Sequence, residues 1–176
     1  MARLHVLLLA TASILLLSGG ARPVSGTPAV SAAPPAQQER VVARIAELNP
    51  HLTPGQLDRI EAAIDRYAQK YGLDPVLVAA VIEVESSGKP WARSPAGALG
   101  LMQVMPHMIR PMGMAGNPST VEANIEAGCA ILASNIRRLG EEDGISAYFW
   151  GGNIKGRGYL NKVKAARERL RVELEA

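Results

Sequence analysis

The sequence predicts a mainly helical domain, on three observations. Apolar residues recur at helical spacing from Val41 to the C-terminus, helix-start signals precede several of those runs, and no strand-rich segment or internal repeat interrupts them. Val41, Val42, Ile45 and Leu48 make a short amphipathic helix that stops at Asn49-Pro50. Thr53 with Gln56 forms a capping box, with Pro54 at the first helical position. The helix they open turns Leu57, Ile60, Ile64, Tyr67 and Tyr71 inward and ends at Gly72. Asp74 as N-cap, Pro75 at the first position and Gly88 as the stop bracket the next helix. From Lys89 to Gly100 the text is Pro, Gly, Ser and Ala, which fits a loop or a small β-hairpin.

Pro106 starts a short helix that Pro111 and Gly113 break up. Ser119 and Glu122 read as a second capping box, opening a helix from Thr120 to Leu139 that Gly140 ends. Gly128 in its interior costs about 1 kcal/mol relative to Ala, which suggests close approach of another backbone. Asp143 is expected to cap the helix carrying Tyr148 and Trp150, and Tyr159 to Leu174 makes a last, basic amphipathic helix.

The chain has 176 residues, enough for one domain with a core plus extensions. Arg3 and His5 precede an apolar run from Val6 to Leu17 that exits through Ser18-Gly19-Gly20-Ala21. That pattern is expected to be a secretory signal peptide over residues 1–21, cleaved after Ala21; the run is short for a membrane-embedded helix or uncleaved anchor. Gly20 stands where a lipoprotein would carry Cys. Residues 22–37, with Pro23, Pro28, Pro34 and Pro35, cannot bury a core and are expected to be a disordered linker. The functional domain is then 38–176, and the protein is expected to be exported to the periplasm or cell envelope.

The net charge of +3 becomes +2 once Arg3 leaves with the leader, too mild to indicate nucleic-acid binding. Two glycine-rich strings, Gly97 to Gly100 and Gly151 to Gly156, lack the basic surroundings or the Lys-Ser/Thr ending of nucleic-acid and phosphate loops. From Lys155 onward seven Lys or Arg face three acids, a solvated helix face or a surface attracted to anionic polymer or membrane. Cys129 is the only cysteine and shares a stripe with Ile125, Leu132 and Ile136, so it reads as a small buried hydrophobe. His5, His51 and His107 have no ligand spacing; neither a metal site nor a cofactor is expected.

One residue breaks the hydrophobic pattern. Val78, Val81 and Ile82 define an apolar stripe, and the next position on it, i+7, is Glu85. Glu83 falls on the far side, toward solvent. A carboxyl buried without a partner tends to keep its proton at neutral pH, as a general acid must. A structural acid paired with an unseen Arg or Lys is the competing reading of Glu85.

The segment after this helix bears on that choice. Glu85-Ser86, Pro90, Ser94-Pro95 with Gly97, and Gly100-Leu101-Met102-Gln103 closing with Met105-Pro106 form an ordered run. Asn124-Ile125-Glu126-Ala127-Gly128 and Ala147-Tyr148 come further on. Together they resemble the soluble lytic transglycosylase catalytic domain family, over roughly residues 55 to 170. The resemblance implies a lysozyme-like α+β fold, mainly helical, whose small β-hairpin or loop region lines a glycan cleft. It implies cleavage of the β-1,4 bond between N-acetylmuramic acid and N-acetylglucosamine without water, leaving 1,6-anhydro ends. Glu85 would be the catalytic acid and then base, without cofactor or metal. Ser86, Met102, Gln103, Tyr148 and Tyr159 would be substrate-binding.

The chain departs from the family at its third motif, where Ala-Tyr-Asn-Ala-Gly-Pro-Gly is common and Ala147-Tyr148-Phe149-Trp150-Gly151-Gly152-Asn153 stands instead. Phe149 replaces the asparagine, so any sugar contact made there is missing or supplied by Asn153, which bears on subsite geometry, glycan preference and rate but not on the acid. A lysozyme-type hydrolase, or a non-catalytic wall-binding or scaffold module, are the alternatives. The expected partner is the peptidoglycan strand, with no nucleic acid and no membrane span after leader removal. A secretion or envelope machine would be a further partner that no residue specifies.

Overall fold

The computed structural model describes residues 35–109, 113 and 117–175. The expected leader, most of the expected linker and Pro111 lie outside them. The elements are α1 (Pro35–Leu48), α2 (Pro54–Tyr71), α3 (Pro75–Ser86), α4 (Pro106–Ile109), α5 (Val121–Leu139), α6 (Glu141–Trp150) and α7 (Gly158–Glu175). Helix α1 thus begins at Pro35, inside the segment expected to be linker. Among the described residues there is no strand. The expected hairpin is reduced to two isolated antiparallel bridges, Arg93 with Leu99 and Leu99 with Val104.

Helix α3 is the centre of the molecule, packed by α1, α2 and α7, while α5 joins α2 to α6. Its boundaries follow the local chemistry. The Asp74 side chain accepts from Val76 N at 2.9 Å, Pro75 opens the first turn, and Ser87 ends the helix in the left-handed region at φ 51°. The single-stripe expectation for α3 does not hold: every residue from Val76 to Ile82 is buried. A helix apolar on all sides is a core helix, so its sequence alone does not tell which face Glu85 takes. Truncating a residue such as Ile82 to Ala costs about 2–5 kcal/mol in a site this enclosed.

Several caps and contacts differ from expectation. The Thr53–Gln56 box is present in both directions. At α5 the cap is Thr120, whose hydroxyl accepts from Ala123 N, rather than Ser119. Glu122, in the first turn of α5, takes both guanidinium contacts of Arg59 at 2.9 Å. Helix α6 starts from Gly140 without a side-chain cap. Asp143 sits in its first turn with Glu141 and Glu142, where negative charge suits the helix dipole, and pairs with Arg157 at 3.0 Å. Gly128 is required by a side chain, not a backbone: a Cβ there would lie 2.4 Å from Met102 Sδ.

The acids and the basic tail are largely spent on one another. Glu83 does not face solvent; its side chain is 10% exposed, between Arg44 of α1 and Arg169 of α7. Burial opposes its ionisation, yet the two guanidinium groups outweigh that and hold its pKa below 4.5. Arg167 reaches Asp74 and Glu141 at 2.8 Å each, and Lys164 reaches Glu142 at 2.9 Å. These bonds tie α7 to α3 and α6. Cys129 is fully enclosed, and burial pushes its thiol far up, so it is inert.

Candidate active site

Glu85 occupies the last turn of α3, half-buried. Tyr159, in the first turn of α7 and only 7% exposed, donates its hydroxyl to Glu85 Oε1 at 2.7 Å. Burial raises the Glu85 pKa above its ordinary 4.5, and the Tyr159 hydrogen bond, which favours the charged form, draws it only partly back. Tyr148 of α6 donates to the Met102 carbonyl at 2.8 Å. Burial first, and then the Glu85 charge, raise the pKa of both phenols, so each keeps its proton and acts as a donor. The result is a carboxyl poised above its usual range beside two protonated phenols. Such a group can release a proton to a basic oxygen, and Tyr159 then stabilises the carboxylate left behind.

The turn that receives Tyr148 is held rigidly. Leu99 and Val104 exchange both backbone bonds at 3.0 and 2.9 Å, and Gly100 and Gln103 take positive φ between them. Asn124, buried on α5, accepts from Met102 N at 2.8 Å and donates to the carbonyls of Leu99 (2.7 Å) and Pro118 (2.8 Å). Gly100 must be glycine here, since a Cβ would sit 2.5 Å from Asn124 Nδ2. Gln103 donates to the carbonyls of Ala92 and Gly100 at 3.2 and 2.9 Å, fastening the loop after α3. Along that loop a depression of about 360 Å³ opens between Trp91, Arg93, Leu99 and Gly100.

Of the residues singled out in the sequence, Glu85 and Tyr159 touch, and Tyr148 lies within range of the Glu85 charge. Ser86 is buried and its hydroxyl donates back to the Ile82 carbonyl at 3.2 Å. The Met102 side chain is 0% exposed and packs on Gly128, so only its backbone meets Tyr148 and Asn124. Asn124 received no role from sequence reasoning. Its signal is a polar residue one turn before Gly128 on a face that proves buried. Phe149 stood out only as a departure, and it stacks on Tyr159 with ring centroids 5.1 Å apart.

The family model for the transglycosylase SLT domain matches residues 62–170, more than half of the chain. The chain belongs to the SLT domain family. Among its relatives, a transglycosylase of Enterobacteria phage PRD1 is 40% identical over 100 residues, covering 53% of this chain and 37% of the relative. Membrane-bound lytic murein transglycosylase C of Salmonella paratyphi B is 34% identical over 140 residues, covering 66% of this chain and 39% of the relative. This SLT domain thus spans well under half the length of those two proteins.

Its fold is shared with larger solved enzymes. The 70 kDa soluble lytic transglycosylase of Escherichia coli superposes with a TM-score of 0.56 at 22% identity, over 79% of this chain and 29% of that one. An inactive mutant of the lytic transglycosylase Slt of Pseudomonas aeruginosa gives 0.53 at 23% identity, over 65% and 24%. The mainly helical architecture of those enzymes is the one seen here.

Proposed function

We propose that this SLT domain is a peptidoglycan lytic transglycosylase acting in the cell envelope, with Glu85 as its single acid and base. The observation that carries the reading is the half-buried Glu85 carboxyl, raised in pKa and tethered to Tyr159. In the forward step Glu85 gives its proton to the glycosidic oxygen between N-acetylmuramic acid and N-acetylglucosamine. The C1–O bond breaks, and the substrate's own 2-acetamido group stabilises the anomeric centre. The Glu85 carboxylate, held by Tyr159, then takes the C6 hydroxyl proton as O6 bonds to C1. That closes a 1,6-anhydro ring, restores the acid and consumes no water.

Other residues fall into supporting roles. Tyr148 fixes the Met102 carbonyl and with it the turn over α5, while Gln103 holds the loop at Trp91 in shape. Ser86 and Met102 position rather than touch the glycan, since both side chains are buried. The test is product analysis on purified peptidoglycan with wild type and Glu85→Gln. Anhydro-muropeptides from wild type and none from the variant support the reading. Reducing ends alone would assign lysozyme-type hydrolysis, and no cleavage by wild type would leave a wall-binding module.

A further inference from the structure

We propose that Phe149 is a substrate-contacting residue whose exposed ring receives the apolar face of an N-acetylated hexopyranose unit of the glycan, one tyrosine away from Glu85. The inference rests on the transglycosylase reading and adds a subsite to it. Phe149 closes the C-terminal turn of α6 and remains 57% exposed. Its position is nevertheless fixed. The ring lies nearly parallel to Tyr159, 16° between planes at 5.1 Å, and meets Trp150 edge-on at 4.9 Å. Trp150 is itself anchored, donating Nε1 to the Gly156 carbonyl at 3.1 Å.

An aromatic ring held in place by two others, yet left open, contributes little further to the core. It is, however, preorganised for a flat apolar partner, so ordering it on binding costs little. A pyranose ring offers such a partner: its axial C–H groups form an apolar face that suits the electron-rich face of an arene. Continuity fixes the occupant. The same Tyr159 that stacks on Phe149 hydrogen-bonds Glu85, so the exposed ring stands one side chain from the acid, within the reach of a glycan bound there.

The competing explanation is that Phe149 merely props Tyr159 in position. Binding of a β-1,4-linked N-acetylglucosamine tetramer to the Glu85→Gln protein, by calorimetry, separates the two when repeated with Phe149→Ala, Phe149→Leu and Phe149→Tyr. The subsite predicts about tenfold weaker binding for Ala and Leu, and near-unchanged binding for Tyr. With Glu85 intact, Phe149→Ala should raise KM about tenfold while kcat and the alkaline limb of the pH profile stay put. Leu keeps apolar bulk on Tyr159 without a flat ring, so normal binding by the Leu variant overturns the proposal. So does a lowered kcat with a shifted limb and unchanged KM. Anhydro products with binding indifferent to Phe149 would sink the subsite and leave the transglycosylase reading standing. No tetramer binding together with no cleavage by wild type would sink both.

Discussion

Tyr159 Oη lies 2.7 Å from Glu85 Oε1, joining the first turn of α7 to the last turn of α3 across 74 residues of sequence. Among the described residues this bond is what opposes burial at the acid, because it stabilises the charged carboxylate. It therefore sets how far above 4.5 the acid rests.

Tyr159→Phe removes that donor and leaves burial unopposed, so the Glu85 pKa rises further. In the proposed mechanism cleavage needs the protonated acid and fails as pH climbs through that pKa. The alkaline limb of the rate profile should accordingly move to higher pH, with about 1 kcal/mol of stability lost. An unmoved limb would mean that the hydrogen bond does not act on the acid.

Glu85 also imposes a pH dependence on stability. A carboxyl whose folded pKa is raised contributes stability that is complete below pH 4.5 and lost as pH rises through the folded value. Glu85→Gln removes the ionisation and keeps an acceptor for Tyr159. The variant should melt higher than wild type at pH 8, with the two curves converging below pH 4.5. A variant that melts lower at pH 8 would contradict the desolvation argument.

Glu83 behaves in the opposite sense. Its pKa is held below 4.5 by Arg44 and Arg169, so its contribution is present above pH 4.5 and lost as pH falls through the depressed value. Arg44→Met should cost about 2–3 kcal/mol at pH 7, because it leaves a covered carboxylate with only the half-exposed Arg169 as partner. Arg169→Met, from a half-exposed partner, should cost under about 1 kcal/mol. Denaturant melts from pH 7 downward check both, and penalties that do not shrink as Glu83 takes up its proton would argue against the ion pair.

Gly128 and Met102 form a packing pair. Gly128→Ala gains helix propensity of about 1 kcal/mol but places a Cβ 2.7 Å from Met102 Cβ, an overpacking worth about 1–3 kcal/mol. Net destabilisation is expected, and combining it with Met102→Ala should cost less than the sum of the two changes. Additive penalties in thermal melts would place the two side chains out of contact.

Helix identity was legible wherever local chemistry decides it. The Thr53–Gln56 box, Asp74 with Pro75, and Gly72 at φ 68° all stand where the sequence puts them. Decisions that depend on neighbours were not. Thr120 and Ser119 are equivalent in sequence, and only the Ala123 hydrogen bond selects Thr120. Glu83 reads as solvent-facing because Arg44 and Arg169 lie 39 and 86 residues away. The position of Glu85 was legible, but for a reason the structure revises: α3 is buried on every side, and Tyr159 marks the acid's surroundings. The roles of Asn124 and Phe149 are set by contacts spanning several elements, which no periodicity encodes.

The central claim is that burial keeps a proton on Glu85 for delivery to the glycosidic oxygen. Its most direct test is a ¹³C NMR titration of the Glu85 side-chain carboxyl in the folded protein, assigned with Glu85→Gln. The midpoint should lie above 4.5 and rise further in Tyr159→Phe. A midpoint at or below 4.5 in the folded protein would contradict the account.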